Sequence, residues 1–224
     1  LRCGWEAAVR LQGRESPWGV GLFLGLVGLL GGGLMVLAGW HATPYIDENE
    51  RRYLLSMLET VAPEGFDNLP ADNSEFLSAP EWFSVDGGVT VYRAYRDGAP
   101  AAAIFDVHAP DGYTGPIRLL VGVNARGTVT GVRVVSHRET PGLGDGIEVE
   151  RSSWMLGFDG RSRTNTPDGQ WRLRRDGGRF DQLTGATITS RAVLHTVHRT
   201  LEFHDTHREQ IFPPGTRQED RGDE

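Results

Sequence analysis

Between Trp18 and Trp40 the chain runs for 23 residues without a charge, and nothing else in it restricts the fold as much. At about 1.5 Å per residue, a helix of that length spans a hydrocarbon core of about 30 Å. Tryptophan closes the run at both ends, where the two interfaces of a bilayer would lie. A cleaved secretory leader is the competing reading. Its apolar part usually covers only about 7 to 15 residues and ends in a small-residue cleavage site, so the length favours a retained anchor. Arg2, Arg10 and Arg14 precede the run and Asp47, Glu48 and Glu50 follow it, with Arg51 and Arg52 reducing the contrast. This asymmetry predicts a cytoplasmic N-terminus over residues 1–16, a transmembrane helix over 17–40 and a main domain on the far side of the membrane. Gly21-x-x-x-Gly25 and Gly28-x-x-x-Gly32 let another helix backbone approach closely, or reflect only how common glycine is in such helices.

The rest of the chain has room for one globular domain. A formal net charge of −7 argues against a nucleic-acid partner, and the basic residues, every one an arginine, read as composition bias rather than as a phosphate-binding surface. Ile46, Tyr53, Leu54, Met57, Leu58 and Val61 have the spacing of an amphipathic helix that Pro63 and Gly65 end. Val89–Tyr95 and Ala101–Val107 flank Asp97-Gly98 as a hairpin, and Ile117–Val123 and Thr128–Val135 flank Ala125-Arg126-Gly127 as a second. A helix over Ile147–Gly157 and a strand over Gln170–Leu173 are expected next. Val193, Val197 and Leu201, four apart, then mark a last helix. The pattern predicts an α+β protein, with a twisted, largely antiparallel sheet flanked by helices over 41–211 and a disordered, proline-containing charged tail over 212–224.

Asp181-Gln182-Leu183-Thr184-Gly185-Ala186-Thr187 lies at the entrance of that last helix. Unpaired amides and the positive dipole end favour an anion there, and Gly185 and Ala186 leave room for a phosphate to approach Thr187. An ordinary capped helix after a turn has the same spacing.

Asp181-x-x-Thr184-Gly185-Ala186-Thr187 also resembles the acceptor motif for covalent flavin attachment. His137-Arg138-Glu139-Thr140-Pro141-Gly142-Leu143-Gly144-Asp145 resembles the Glu-Thr-Pro-Gly-Leu-Gly loop of the same FMN-binding domains. The two occur in the family's order, with Trp154 and Phe158 between them and Gly112-Tyr113-x-Gly115-Pro116-Ile117 ahead of them. Together with the membrane segment, they resemble the G subunits of the Rnf, or Rsx, electron transport complexes over roughly Pro17 to Leu201.

The resemblance implies a membrane-anchored FMN-binding domain in the periplasm, held at the bacterial inner membrane. Its FMN would be joined by a phosphoester to Thr187, and it would relay electrons among the other members of an ion-translocating ferredoxin:NAD oxidoreductase. A flavin transferase would mature it. Thr187 would be a tether, Thr184 would shape the turn, and Asp181 would help present the motif to the transferase. Pro141, Gly142, Leu143 and Gly144 would form a wall against the isoalloxazine, with Glu139 and Thr140 making polar contacts to its edge. The C subunit of a sodium-pumping NADH:quinone reductase is the nearest alternative, and a flavin-free membrane scaffold of the same fold is another.

Three further features carry less. Cys3 is the single cysteine, so neither a disulfide within the chain nor a cysteine-held iron–sulfur cluster is expected. His195, His198, His204 and His207 are expected on a solvated helix face rather than around a metal. Arg172, Arg174, Arg175 and Arg179, beside the flavin motif, could serve an anion but read better as a solvated strand edge.

Overall fold

The computed structural model of the chain describes residues 17–62, 65–66 and 73–213. The expectations for the N-terminal arm with Cys3, for Pro63 and for the tail beyond 213 lie outside the described residues. Two compact units divide between Arg52 and Tyr53.

Helix α1 (Pro17–Val61) is continuous, so the segments read separately as a membrane helix and an amphipathic helix are one element. The residues between them, 41–45, continue the helix although Pro44 lies among them. The stretch Trp18–His41 has a mean hydropathy of 2.3 and is wholly exposed. Leucines at 22, 24, 26, 29, 30, 34 and 37 point outward around the whole circumference. A helix that is apolar on every side and exposed throughout suits an apolar medium, and by length and composition this one can cross a membrane.

In the second unit, strands β1 (Ser74–Ser78), β2 (Gly88–Arg96), β3 (Ala99–Ala109), β4 (Ile117–Asn124) and β5 (Val129–Ser136) form one antiparallel sheet in chain order. Both expected hairpins are present, while the exposed edge strand β1 is additional. Asp97 (φ +51°) and Gly98 (φ +68°) make the two-residue turn between β2 and β3. Alternation sends side chains to two cores. Val91, Phe105, Leu119, Val121 and Val123 face helix α2 (Thr187–Thr206), where Val193, Val197, Leu201 and Phe203 are buried. On the other face, Tyr92, Ile104 and Leu120 pack with Leu58 and Val61 from the last turns of α1. The sheet is thus flanked by helices on both faces, as the α+β expectation requires.

The stretch between β5 and α2 departs from its expected elements. Instead of one helix over 147–157 there are two 3-10 turns, Gly144–Ile147 and Ser153–Phe158. Ser152 separates them: its Oγ donates to Gly146 O at 2.6 Å and accepts from Trp154 N–H at 3.2 Å, so it caps the second turn rather than continuing the first. The expected strand at 170–173 is a single bridge between Leu173 and Phe180, set between 3-10 turns at Asp168–Gln170 and Arg174–Asp176. The amides of Gln170 and Trp171 donate to Pro167 O and Asp168 O at 2.7 and 3.2 Å, and those of Asp176 and Gly177 to Leu173 O and Arg174 O at 2.8 and 3.0 Å, so the run is spent in turns rather than in a ladder.

Candidate functional site

Helix α2 begins without a cap. Ala186 occupies the N-cap position, no side chain caps it, and no acidic residue lies in the first turn. The amides of Thr187, Ile188 and Thr189 precede the first helical hydrogen bond, Ser190 N–H to Ala186 O at 3.0 Å, and so are available to an anion. The turn before it is tightly made. Ala186 N–H donates to Leu183 O at 3.1 Å, while buried Ser190 Oγ accepts from Leu183 N–H at 3.0 Å and donates to Ala186 O at 2.9 Å. Gly185 holds φ +77°, and a Cβ there would stand 2.7 Å from Leu143 Cδ2. The turn therefore admits glycine alone without strain.

That close approach brings the two motif loops together. Leu143 N–H and Gly144 N–H both donate to Thr140 O, at 3.2 and 3.0 Å, folding the loop back on itself. Glu139 is buried (4% exposed). Its carboxylate accepts from the Thr189 hydroxyl, from Thr114 N–H at 3.1 Å and from Thr114 Oγ1 at 3.2 Å. Both oxygens are thus engaged by protein donors, and Glu139 acts first as a tie between loops. A Cβ on Gly144 would lie 2.8 Å from Glu139 Cβ, so the loop packs here at backbone distance.

Between these loops lies a cleft of about 460 Å³, lined by Tyr113, Glu139, Thr140, Leu143, Gly144, Gly185, Ala186, Thr187, Ile188 and Thr189. The volume falls in the roughly 300–1,000 Å³ range of small-molecule sites. Of the residues singled out from the sequence, Glu139, Thr140, Leu143, Gly144, Gly185, Ala186 and Thr187 line the cleft. Pro141 and Gly142 form the exposed outside of the loop, and Thr184 lies on the turn outside the cleft. The Asp181 side chain is also exposed and pairs with Arg174, 3.2 Å away, while its backbone carbonyl accepts from Trp154 Nε1–H at 2.6 Å. Tyr113, which the sequence marks in a motif but not as a site residue, completes the lining with Ile188 and Thr189, which it does not mark. Tyr113, Leu143 and Ile188 leave apolar surface exposed at the lip, which a planar ring would cover. A phosphate at Thr187 would meet the uncapped amides. The donor set and the shape therefore fit a flavin mononucleotide.

Two expectations about neighbouring groups change. The arginines are not on a strand edge: they lie in and around a 3-10 turn, and Arg175 Nη1 donates to Thr187 Oγ1 at 3.2 Å. The histidines do not share a solvated face, since only His195 is exposed. His204 is buried, and His198 and His207 stack on Trp171 and Phe203 at ring-centroid distances of 5.2 and 4.3 Å. Asp168, His198 and Glu202 bring ligand atoms within 4.8 Å of one another, but the Arg163 guanidinium already spans both Asp168 oxygens at 3.0 and 2.8 Å. That pairing holds the Asp168 carboxyl well below the usual carboxylate range.

Known proteins carry the same arrangement of sequence. Residues 112–202, which contain the whole lining of the cleft, match the family model of the FMN-binding domain. Over 202 residues the chain is 44% identical to the G subunit of an ion-translocating oxidoreductase complex from Pseudomonas aeruginosa, covering 90% of this chain and 94% of the relative. The protein of that name from Cereibacter sphaeroides is also 44% identical, over 90% of each chain. The one from Vibrio cholerae is 40% identical over 85% of this chain and 91% of its own. By identity and coverage together, the chain belongs to the family of G subunits of ion-translocating oxidoreductase complexes.

Proposed function

We propose that this protein is the membrane-anchored electron-transfer subunit of an Rnf-type ion-translocating oxidoreductase complex, carrying FMN through a phosphoester on Thr187 Oγ1. The observation that carries the reading is the convergence of the Glu139–Gly144 loop and the Asp181–Thr187 turn on one cleft at the uncapped start of α2. When bound, FMN supplies one- and two-electron redox chemistry, and the protein supplies attachment and orientation. Gly185 and Ala186 keep the approach to the Thr187 hydroxyl clear, and the first-turn amides receive the phosphate. Leu143, Ile188 and Tyr113 shield the ring from water, and Thr140 offers it a polar contact. Pro141 and Gly142 set the curvature of the loop from outside, and Thr184 shapes the turn. Asp181 fixes the start of the motif through Arg174 and presents it to the flavin transferase.

The Trp18–His41 stretch anchors the domain, with the N-terminus in the cytoplasm and the domain in the periplasm of the inner membrane. A covalent link suits that compartment, where a dissociated cofactor is not readily replaced. The electron partners are other members of the complex.

In-gel fluorescence after denaturation tests the attachment. The protein co-expressed with a flavin transferase should fluoresce, and Thr187→Ala should not. A dark wild-type band, or a bright T187A band, would sink the covalent reading. Protease digestion of right-side-out membrane vesicles tests the topology: the main domain should be cleaved without detergent.

A further inference from the structure

Three consecutive residues, Arg174, Arg175 and Asp176, form one 3-10 turn, and each reaches a different point of the segment from Asp181 to Arg191. Arg174 Nη1 lies 3.2 Å from Asp181 Oδ1, and Arg191 Nη2 donates to Asp176 Oδ2 at 2.7 Å. Between these ion pairs, Arg175 Nη1 donates to Thr187 Oγ1 at 3.2 Å. The turn is braced from behind by Arg174 N–H to Phe180 O (2.7 Å), Asp176 N–H to Leu173 O (2.8 Å) and Gly178 N–H to Leu173 O (3.0 Å), with Leu173 fully buried. Arg174 and Asp176 thus have charged partners. Arg175 does not: among the described residues no carboxylate pairs with it, and its partner is a neutral hydroxyl.

We infer that Arg175 is a phosphate-binding residue, its guanidinium pairing with the phosphoryl oxygens of the group carried on Thr187 Oγ1. The inference rests on the reading of Thr187 as the attachment point. A guanidinium presents donors in a planar fork that matches phosphoryl oxygens, and charge-assisted bonds are about twice as strong as neutral ones. The single negative charge of a phosphodiester is then balanced by Arg175 on one side and met by the α2 amides on the other. No acidic residue in the first turn of α2 competes for the guanidinium.

The Arg175 guanidinium offers donors and no acceptor, so it takes no proton from Thr187. During attachment from a flavin dinucleotide, the Thr187 Oγ–P bond forms and the pyrophosphate P–O bond breaks. Adenosine monophosphate leaves with the electron pair, and the hydroxyl proton passes to the transferase. Nothing is oxidised or reduced. The negative charge on the phosphoryl oxygens lies against Arg175 throughout.

The test uses the full-length protein in detergent. With purified transferase and flavin dinucleotide, Arg175→Ala should acquire gel-fluorescent flavin roughly ten- to a hundredfold more slowly, the effect of losing one charge-assisted hydrogen bond, and Arg175→Lys should fall between. Wherever R175A is loaded, its ³¹P resonance should move from the wild-type position. A second comparison needs no transferase. In a Thr187→Val background, adding Arg175→Ala should weaken FMN binding about tenfold or more and leave riboflavin, which lacks the phosphate, unaffected. Wild-type attachment rate with an unmoved ³¹P resonance in R175A would overturn the inference, as would equal losses for FMN and riboflavin. A wild-type protein that never acquires flavin would instead overturn the attachment reading, and the FMN–riboflavin comparison would still decide the role of Arg175.

Discussion

The Glu139 carboxylate accepts a buried hydrogen bond from the Thr189 hydroxyl, 50 residues away in the chain. Glu139 opens the loop that ends at Gly144, and Thr189 sits two residues beyond Thr187. The bond therefore fixes one motif against the other. With the other carboxylate oxygen on Thr114 N–H and Oγ1, one side chain ties three segments around the cleft. The two motif loops are thus held at a fixed separation across the cleft by bonds within the protein itself.

Truncating that tie should cost stability as well as geometry. Glu139→Ala leaves the buried Thr189 hydroxyl and Thr114 N–H without their acceptor, a loss of about 1–3 kcal/mol, while the Thr114 hydroxyl keeps Arg138 O at 2.5 Å. Glu139→Gln keeps an acceptor for Thr114, and the Thr189 hydroxyl can rotate to receive the amide, so its cost should be smaller. Urea unfolding of the three proteins checks the order. A Glu139→Ala midpoint equal to wild type would mean that the bond contributes nothing net.

Gly185 should tolerate no side chain. Its φ of +77° strains any other residue, and a Cβ would collide with Leu143 Cδ2 at 2.7 Å. Gly185→Ala should therefore lose about 1 kcal/mol to the backbone alone and show reduced flavin fluorescence on denaturing gels. Adding Leu143→Ala removes the clash but not the strained φ, so the double variant should recover part of the loading. Full recovery would assign the whole effect to the clash.

The two hairpins are legible in the sequence because their turns carry their own chemistry. Asp97-Gly98 supplies consecutive positive φ values. At the second turn, Asn124 Oδ1 receives the amides of Arg126 and Thr128 at 2.9 and 3.0 Å. Strand β1 is not legible: Ser74-Glu75-Phe76-Leu77-Ser78 pairs only with β2 and is mostly exposed, so no alternation marks it. The stretch from Gly144 to Phe180 misleads for a different reason. Ile147, Met155, Phe158, Trp171 and Leu173 are buried while Leu156 is exposed, and the 3-10 turns that carry them leave no periodicity to read. In the site, both motif loops are visible by resemblance. The partners that assemble them are not, because Thr189 on Glu139 and Arg175 on Thr187 are contacts across the chain that no local pattern encodes.

The end of α1 is seated against the sheet at a glycine. A Cβ on Gly122 would lie 2.5 Å from Val61 Cγ1 and 2.7 Å from Val61 O, and Thr130 Oγ1 donates to that same carbonyl at 2.7 Å. Gly122→Ala should push the last turn of α1 off the sheet, at about 1–3 kcal/mol for overpacking, and expose Leu58 and Val61. Thr130→Val should cost less, since it removes one hydrogen bond and adds no bulk. Limited proteolysis should cut G122A near the end of α1 faster than either wild type or T130V. Equal cutting rates would show that the contact is not what holds the helix end.

Acid should weaken the domain through His204. Burial pushes its pKa below the ordinary 6.5, and the neighbouring Asp205 opposes that only in part. The ring is 1% exposed and lies edge-on to Phe105 and Phe212, with no hydrogen-bond partner for Nε2 among the described residues. The unfolded chain therefore takes up a proton at a higher pH than the folded one. Stability contributed by the neutral ring is full above the unfolded pKa of about 6.5 and declines below it, by at most about 1.4 kcal/mol per pH unit. Glu148, whose pKa is lowered by its hydrogen bonds to His137 and Arg151, and Asp176, lowered by Arg191, act in a lower window. Their contributions are present above the ordinary carboxylate pKa and lost as the pH falls below it. His204→Leu keeps the packing and removes the titration. Its urea midpoint should match wild type at pH 8 and exceed it at pH 5.5. Parallel pH dependence in the two proteins would assign the acid sensitivity to another group.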